Sequence, residues 1–358
     1  MSIELIISLV KANIVLAVLL TNTILLIWFE RKVVAGMQSR VGPDRAGPFG
    51  ILQTLADAIK LLLKEQILPS KADRAMYLLA PLIALVPSFL IFMIIPLGPD
   101  ITVEWQNVLY TIPLVGADLN VGVLYFLALS SIAVYSVVLA GWSSGSKYPL
   151  LGGVRASAQM ISYEAAMGLA LVPVILYSGS LSLVDIVNSQ SGNLSSSIPI
   201  LNTIVSFIPK WNIFPQFVAF GIFFIAAVAE VNRAPFDLVE AEQELVGGFH
   251  TEYSGFRFAM FFLAEYINMF NMCAITATFF LGGWLGPTFE GILPPIFSVI
   301  MPIIWLGVKT FLLLFVFVWI RATLPRLRYD QLMELGWKRM IPLSLVWLIL
   351  SAIVLGLR

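Results

Sequence analysis

Several carboxylates in this sequence stand where they are expensive. Glu164 comes nine residues after Arg155, and Glu265 eight after Arg257, each inside a long apolar run. At helical rise those offsets are roughly 13 Å and 12 Å of depth. Glu230 closes a third apolar run, and Lys309 stands near the middle of a fourth. An ionisable group within lipid costs about 2.5–3.5 kcal/mol on insertion scales. Residues kept at that cost serve proton relays, ion pathways or fixed charge pairs. Isolated pairs that merely hold helices together need not favour the same half of the membrane. These three acids do, so a shared buried polar cavity is expected, with Lys309 as its amine.

A second concentration follows in the segment 234–256, which carries Asp237, Glu240, Glu242, Glu244 and Glu252 and no Lys or Arg. Pro235 lacks an N–H and is expected to end the helix before it. A short helix beyond it would put Asp237, Glu240 and Glu244 on one face, with Glu242 turned away. Like charges so spaced repel, which raises pKa values and lets acids share protons. A merely solvated face would intersperse both signs, and calcium binding would need a ligand spacing that is missing. A third group is basic: Glu30-Arg31-Lys32, then Arg40-Val-Gly-Pro-Asp-Arg45-Ala-Gly-Pro. Its two Gly-Pro pairs make a rigid turn. Arg40 and Arg45 are placed to anchor anionic lipid, pair with the acidic segment or flank a ligand entrance; for Arg45 and Lys64, lipid anchoring alone suffices.

The elements that position these groups are read from composition. Of 358 residues, 59% are hydrophobic and 12% charged, against about 25% charged in soluble domains. The bilayer is therefore the solvent for most of the chain. Apolar runs at roughly 4–29, 76–98, 121–142, 156–178, 213–233, 256–284, 298–321 and 339–357 are each about long enough to cross. Backbone groups in lipid must be satisfied within the segment, so these are helices. The fold class is an all-α polytopic membrane protein: about eight transmembrane helices in one membrane domain over 1–358. The first run ends in Glu-Arg-Lys rather than small residues and is read as a retained span. Residues 49–66 place Leu52, Leu55, Ile59, Leu62 and Leu63 on one face and Gln53, Asp57, Lys60 and Lys64 on another, which is an interfacial amphipathic helix. With the end of span 1 in the cytoplasm, almost every loop Lys and Arg falls on that side; Lys210 is the exception. The acidic segment at about 234–256 is then cytoplasmic. The opposite loops, 98–120 and 179–212, are of Gly, Ser, Asn and Pro character and show no recognisable chemistry.

Other classes are excluded. Lys+Arg and Asp+Glu are equal at 21 each, so net charge points to no nucleic acid. One cysteine, Cys273, and one histidine, His250, provide no disulfide framework, iron–sulfur cluster or metal site. No nucleotide fingerprint is present. The chain holds no redox centre and no catalytic residue of its own.

Read in order, the motifs Glu30-Arg-Lys, Arg40-x-Gly-Pro-x-x-x-Gly-Pro, Ala56-Asp-Ala-Ile-Lys60, Leu151-Gly-Gly-x-Arg155, Gln159-x-Ile-Ser-Tyr-Glu164, Arg233-x-Pro-Phe-Asp237, Glu240-x-Glu-x-Glu-Leu-Val-x-Gly, Glu252-Tyr-Ser-Gly255 and Arg321-Ala-x-x-Pro-Arg326 span nearly the whole chain. Together they resemble the H-subunit family of the proton-pumping NADH–quinone oxidoreductases (respiratory complex I), whose mitochondrial counterpart is the first core membrane subunit. Val239 and Pro149 depart from the usual pattern without removing an ionisable group. The resemblance implies a membrane anchor that is active only within the complex, with quinone as substrate. It implies iron–sulfur clusters and FMN in partner subunits of the peripheral arm, and further membrane-arm subunits and lipids as neighbours. It places Arg31, Arg40, Asp57, Lys60, Arg233, Phe236, Arg321 and Arg326 at the quinone chamber. It assigns Glu164, Glu230, Asp237, Glu240, Glu242, Glu244, Glu252 and Glu265 to proton coupling. It implies an energy-transducing bacterial plasma membrane. Two other readings stay open: the equivalent anchor of a membrane-bound hydrogenase or ferredoxin- or deazaflavin-linked complex, and an independent cation/proton antiporter. Absence of inverted repeats weighs against the antiporter.

Overall fold

A computed structural model describes residues 3–105, 108–193, 209–237, 247–287 and 296–357. The chain is a helical membrane protein. Helix α1 (Ile3–Met37) is followed by a single 3-10 turn and the amphipathic α2 (Gln53–Leu63). Then come α3 (Arg74–Met93), a hairpin of β1 (Ile101–Trp105) and β2 (Val108–Ile112), α4 (Gly122–Ser143) and α5 (Lys147–Ser178). A short α6 (Leu183–Ser189) precedes α7 (Phe217–Glu230), α8 (Gly255–Phe280) and α9 (Ile296–Thr323). Last, α10 (Tyr329–Glu334) runs through one π-helical turn into α11 (Ile341–Gly356). Among the described residues, seven helices are long and apolar enough to cross a membrane, and α7 is a shorter apolar helix.

Three details differ from the sequence reading. The first span continues past Phe29 to Met37, so Glu30 lies inside it. The fifth begins at Phe217 and ends at Glu230, giving 14 residues, or roughly 21 Å. It stops before Pro235 because Asn232 adopts a left-handed φ of 53°, the backbone state that commonly closes helices. The 98–120 loop carries the antiparallel hairpin, with Ile101 opposite Ile112.

The core lies where α5, α7 and α8 meet, around Tyr163, Phe223 and Ile267, all fully buried. Close approach there depends on small residues. A Cβ on Gly152 would meet the Gly248 backbone at 2.6 Å; its absence lets the turn at 247–250 seat against α5. Asp73 caps α3, accepting from the Ala75 and Met76 amides at 3.0 and 3.3 Å. Pro81 and Pro87 in α3 and Pro173 in α5 are tolerated within spans, where neighbouring helices re-satisfy the freed backbone groups.

Candidate functional site: a buried charge network between two cavities

The network begins at Arg233, which is 2% exposed and stands just after α7. Its Nε lies 2.9 Å from Glu265 Oε1 on α8 and its Nη1 3.5 Å from Glu30 Oε1 on α1. Arg321, in the last turn of α9, pairs with the same Glu30 oxygen. The Arg233 guanidinium also sits 4.5 Å from the centre of the Tyr266 ring. Two acids and two arginines are thus joined from α1, α8, α9 and the end of α7. Buried charges are tolerable only when paired in this way.

Two cavities flank the set. The larger, about 600 Å³, is lined by Glu30, Arg31, Arg40, Tyr266 and Arg321. That volume is in the range of small-molecule sites, about 300–1,000 Å³. The smaller, about 60 Å³, is lined by Glu230, Glu265, Asn232, His250, Asn268 and Ser136 among others. Its lining is mixed, with Val137, Phe249 and Phe261 beside those polar groups, and it is large enough for water. Arg233 touches one acid from each cavity, Glu30 from the first and Glu265 from the second.

Around the smaller cavity the acids are held by hydroxyls. Ser130 Oγ donates to Glu230 Oε1 at 2.8 Å, and the next residue, Ser131, donates to Glu164 Oε1. Two adjacent serines on α4 therefore hold acids from α7 and α5. Gln159 ties α5 to the end of α7: its Nε2 donates to the Ala229 and Phe236 carbonyls, both at 2.8 Å. His250 lies among the rings of Phe249, Phe258, Phe261 and Phe262. Burial there pushes its pKa down to about 3, so the imidazole is neutral.

At the rim of the larger cavity, α1 and α2 are clamped. Arg31 Nη1 lies 2.6 Å from Asp57 Oδ2, and Gln53 Nε2 donates to Asp57 Oδ1 at 3.1 Å. Partial burial works against the Asp57 carboxylate. The hydrogen bonds from Arg31 and Gln53, with the charges of Arg31 and Lys60, more than offset it and hold its carboxyl below the usual range. The Trp28 indole donates to the Phe49 carbonyl at 2.9 Å. Behind this rim Arg326 Nη2 reaches Asp237 Oδ2 at 3.3 Å.

The structure gathers most of the sequence-derived site residues, but not all. Arg31, Arg40 and Arg321 line the larger cavity, while Arg233 and Asp57 act one contact behind it. Lys60 is exposed on α2. Phe236 packs instead against Tyr163, with ring centres 5.2 Å apart, and Arg326 serves Asp237. Glu252 is half-buried, and its carbonyl accepts from the Tyr77 hydroxyl at 2.7 Å. Next to it the Tyr253 ring stacks on Tyr77, centres 4.1 Å apart, and burial pushes the Tyr253 hydroxyl up to about 12. Glu240, Glu242 and Glu244, with the one-face arrangement expected for them, lie outside the described residues. Lys309 does not join the acids: its amine turns to backbone carbonyls beyond the end of α8. Glu30, Tyr266, His250, Asn232 and Asn268 are site residues that the sequence reading misses.

Paired charges joined across several helices, beside a cavity of ligand size, lie inside a polytopic helical membrane protein. The model of one family, described as NADH dehydrogenase, matches residues 10–352. The chain belongs to that family, and the resemblance to its H-subunits is borne out by its relatives. The NADH-quinone oxidoreductase H-subunit 2 of Koribacter versatilis is 47% identical over 362 residues, covering 99% of this chain and 98% of the relative. The protein of the same name from Syntrophobacter fumaroxidans is 51% identical, covering 94% and 92%. The NADH-quinone oxidoreductase H-subunit of Frankia casuarinae is 52% identical, covering 96% of this chain and 72% of its own length.

Proposed function

We propose that this chain is the membrane-anchor subunit of a proton-translocating NADH–quinone oxidoreductase. In this reading the larger cavity is the quinone entry chamber and the smaller one begins the proton-coupling path. The observation that carries the reading is Arg233, which joins Glu30 of one cavity to Glu265 of the other.

Quinone reduction places negative charge on the headgroup before protons neutralise it. Arginines favour that charge through short, charge-assisted hydrogen bonds. Arg31, Arg40 and Arg321 line the chamber and supply them. Charge arriving beside Arg321 draws that arginine away from Glu30, the acid it shares with Arg233. Arg233 then redistributes between Glu30 and Glu265, and Glu230, across the smaller cavity, meets a changed field. Groups coupled this closely bind and release protons as a set. Glu164, held by the serine adjacent to Glu230's partner, takes the next place along the path. In this reading Asp237, Glu240, Glu242, Glu244 and Glu252 belong to the proton-coupling set that works with the peripheral arm.

Electrons come from partners: iron–sulfur clusters and FMN sit in peripheral-arm subunits, and the chamber is completed against them. Other membrane-arm subunits continue the path, and lipids cover the apolar exteriors of the spans. The acidic segment is on the cytoplasmic side of the energy-transducing membrane.

The test is Glu230→Gln in inverted membrane vesicles. The complex assembles, NADH oxidation stays within a fewfold of normal, and protons pumped per electron fall. Full coupled rates in that variant would remove Glu230 from the path.

A further inference from the structure

At the far end of α8 from Arg233, a second polar construction is buried. Beyond Phe280 the chain turns through Gly282 and Gly283, with φ of 72° and 51°. The turn brings three carbonyls onto the Lys309 ammonium of α9: Leu281 at 2.6 Å, Gly283 at 2.9 Å and Leu285 at 2.5 Å. An ammonium has three protons to donate, and three acceptors take them. The Trp211 ring lies 4.3 Å from the same nitrogen, on the face where ring electrons attract a cation. The carbonyls follow the C-terminus of α8, the negative end of its dipole. Lys309 is 6% exposed.

Gln190 fastens the same turn. Its Oε1 accepts from the Asn212 and Gly282 amides at 3.1 and 3.0 Å. Its Nε2 donates to the Ile186 and Thr278 carbonyls at 3.1 and 2.9 Å. No side chain fits on the turn: a Cβ on Gly282 would meet Trp211 Nε1 at 2.6 Å, and one on Gly283 would meet Val187 Cγ2 at 2.8 Å. Residues 186–190, 211–212, 278–285 and 309 therefore form one laced layer.

Fifteen residues of α8 separate Glu265 from Phe280, roughly 22 Å. The space next to the layer is aromatic. Phe280 packs on Phe220 and Phe223 at 5.5 and 5.6 Å, and Phe279 on Phe223 at 6.2 Å. The Thr276 and Thr278 hydroxyls donate back into their own helix, to Met272 and Ala274. They provide no continuous file of donors toward the acids. A fixed cation at a dry constriction raises the barrier to protons and other cations.

We propose that Lys309, held in its carbonyl cage, is a charged plug. It closes the bundle to protons from the face opposite the acidic segment, so that the Glu230–Glu265 cavity is reached from one side only. The purpose assigned to the plug rests on the proton-coupling reading above; the barrier itself can be measured apart from it.

The experiment uses the whole complex in proteoliposomes, with no electron donor, under an imposed diffusion potential. Passive proton entry is read with a pH dye. Lys309→Met raises it by about tenfold or more, the response to a barrier lowered by about 1.4 kcal/mol; Lys309→Arg stays as tight as the unmodified complex. Gln190→Ala keeps the ammonium but unties the turn, and it leaks as well. Cys273, buried between the acids and the plug, serves as reporter. A membrane-impermeant maleimide applied from the plug side leaves it untouched in the unmodified complex. An assembled Lys309→Met complex as tight as the parent overturns the proposal. So does labelling of Cys273 from that side in the unmodified complex, an arm that needs no variant to fold. Because no electrons flow in the leak assay, its outcome is independent of whether Glu230→Gln uncouples the enzyme.

Discussion

Arg233 and Glu265 link the two cavities, with Nε and Oε1 2.9 Å apart and Arg233 almost wholly buried. Arg233 also serves Glu30, so truncating it strands two buried acids together. Breaking a buried ion pair from one side costs about 3–5 kcal/mol, most of it the penalty of the charge left behind. Arg233→Met is therefore expected to lower the thermal midpoint of the membrane arm or to reduce its assembly, measured by native electrophoresis and a thermal shift of the purified complex. Adding Glu265→Gln to Arg233→Met should recover part of the loss. Arg233→Lys should not restore it, because a single ammonium cannot span both acids as the guanidinium fork does.

His250 makes stability respond to acid. Its native pKa is about 3, against about 6.5 for a free imidazole. Between those values the unfolded chain binds a proton that the native protein does not. Stability thus rises with pH through that window, by up to about 1.4 kcal/mol per unit, and is fully present above about 6.5. Thermal midpoints of the complex should fall as pH drops from about 7.5 to about 5 across that window, and His250→Phe should flatten part of that fall. Near neutral pH the variant should show no altered pH dependence of quinone reduction, since the imidazole is neutral there.

Gln159 has a positioning role that activity assays alone would misread. Its amide holds the Ala229 and Phe236 carbonyls, and so fixes the turn from which Arg233 projects. Gln159→Met is nearly the same size but leaves those buried carbonyls without their donor, a loss of about 1–3 kcal/mol each at most. The expected result is a destabilised complex whose remaining activity shows a lower proton-to-electron ratio. A variant that lost stability yet kept full coupling would limit Gln159 to holding the fold.

Glu230 and Glu265 are legible in the sequence because a charge in an apolar run is visible in one dimension. So is α2, whose apolar and polar faces separate at helical spacing. Glu30 reads as the end of a span because Arg31 and Lys32 follow it; the apolar Val33, Val34 and Ala35 beyond are the signal that the helix continues. A lone histidine fails as a metal site, yet a neutral imidazole that lines a cavity with two acids is a different use, and the sequence does not show what surrounds His250. The partners of Lys309 are main-chain carbonyls, which no pattern of residue types reveals. The shortness of α7 is hidden as well: residues 213–216 are apolar enough to extend a span, but they form turns, anchored where Asn212 Nδ2 donates to the Phe279 carbonyl at 2.9 Å.

Asp57 offers the sharpest test of the proposed chamber mouth. Its pairing with Arg31 fixes α2 against α1 beside the larger cavity, and its lowered pKa keeps it charged at every physiological pH. Asp57→Asn removes the charge while keeping the size, so Arg31 is released and α2 loses its polar anchor. An exposed pair of this kind contributes at most about 1 kcal/mol to stability, and the complex should assemble normally. The doorway should change instead. Apparent KM for a long-tailed quinone should rise severalfold, while that for a short-tailed analogue, which needs no alignment of its tail along α2, should move little. Because the native carboxyl titrates below its free value, the parent should approach the variant's KM only as pH falls through that lowered pKa. Equal changes for the two quinones would place Asp57 away from the tail and leave it as a brace between two helices.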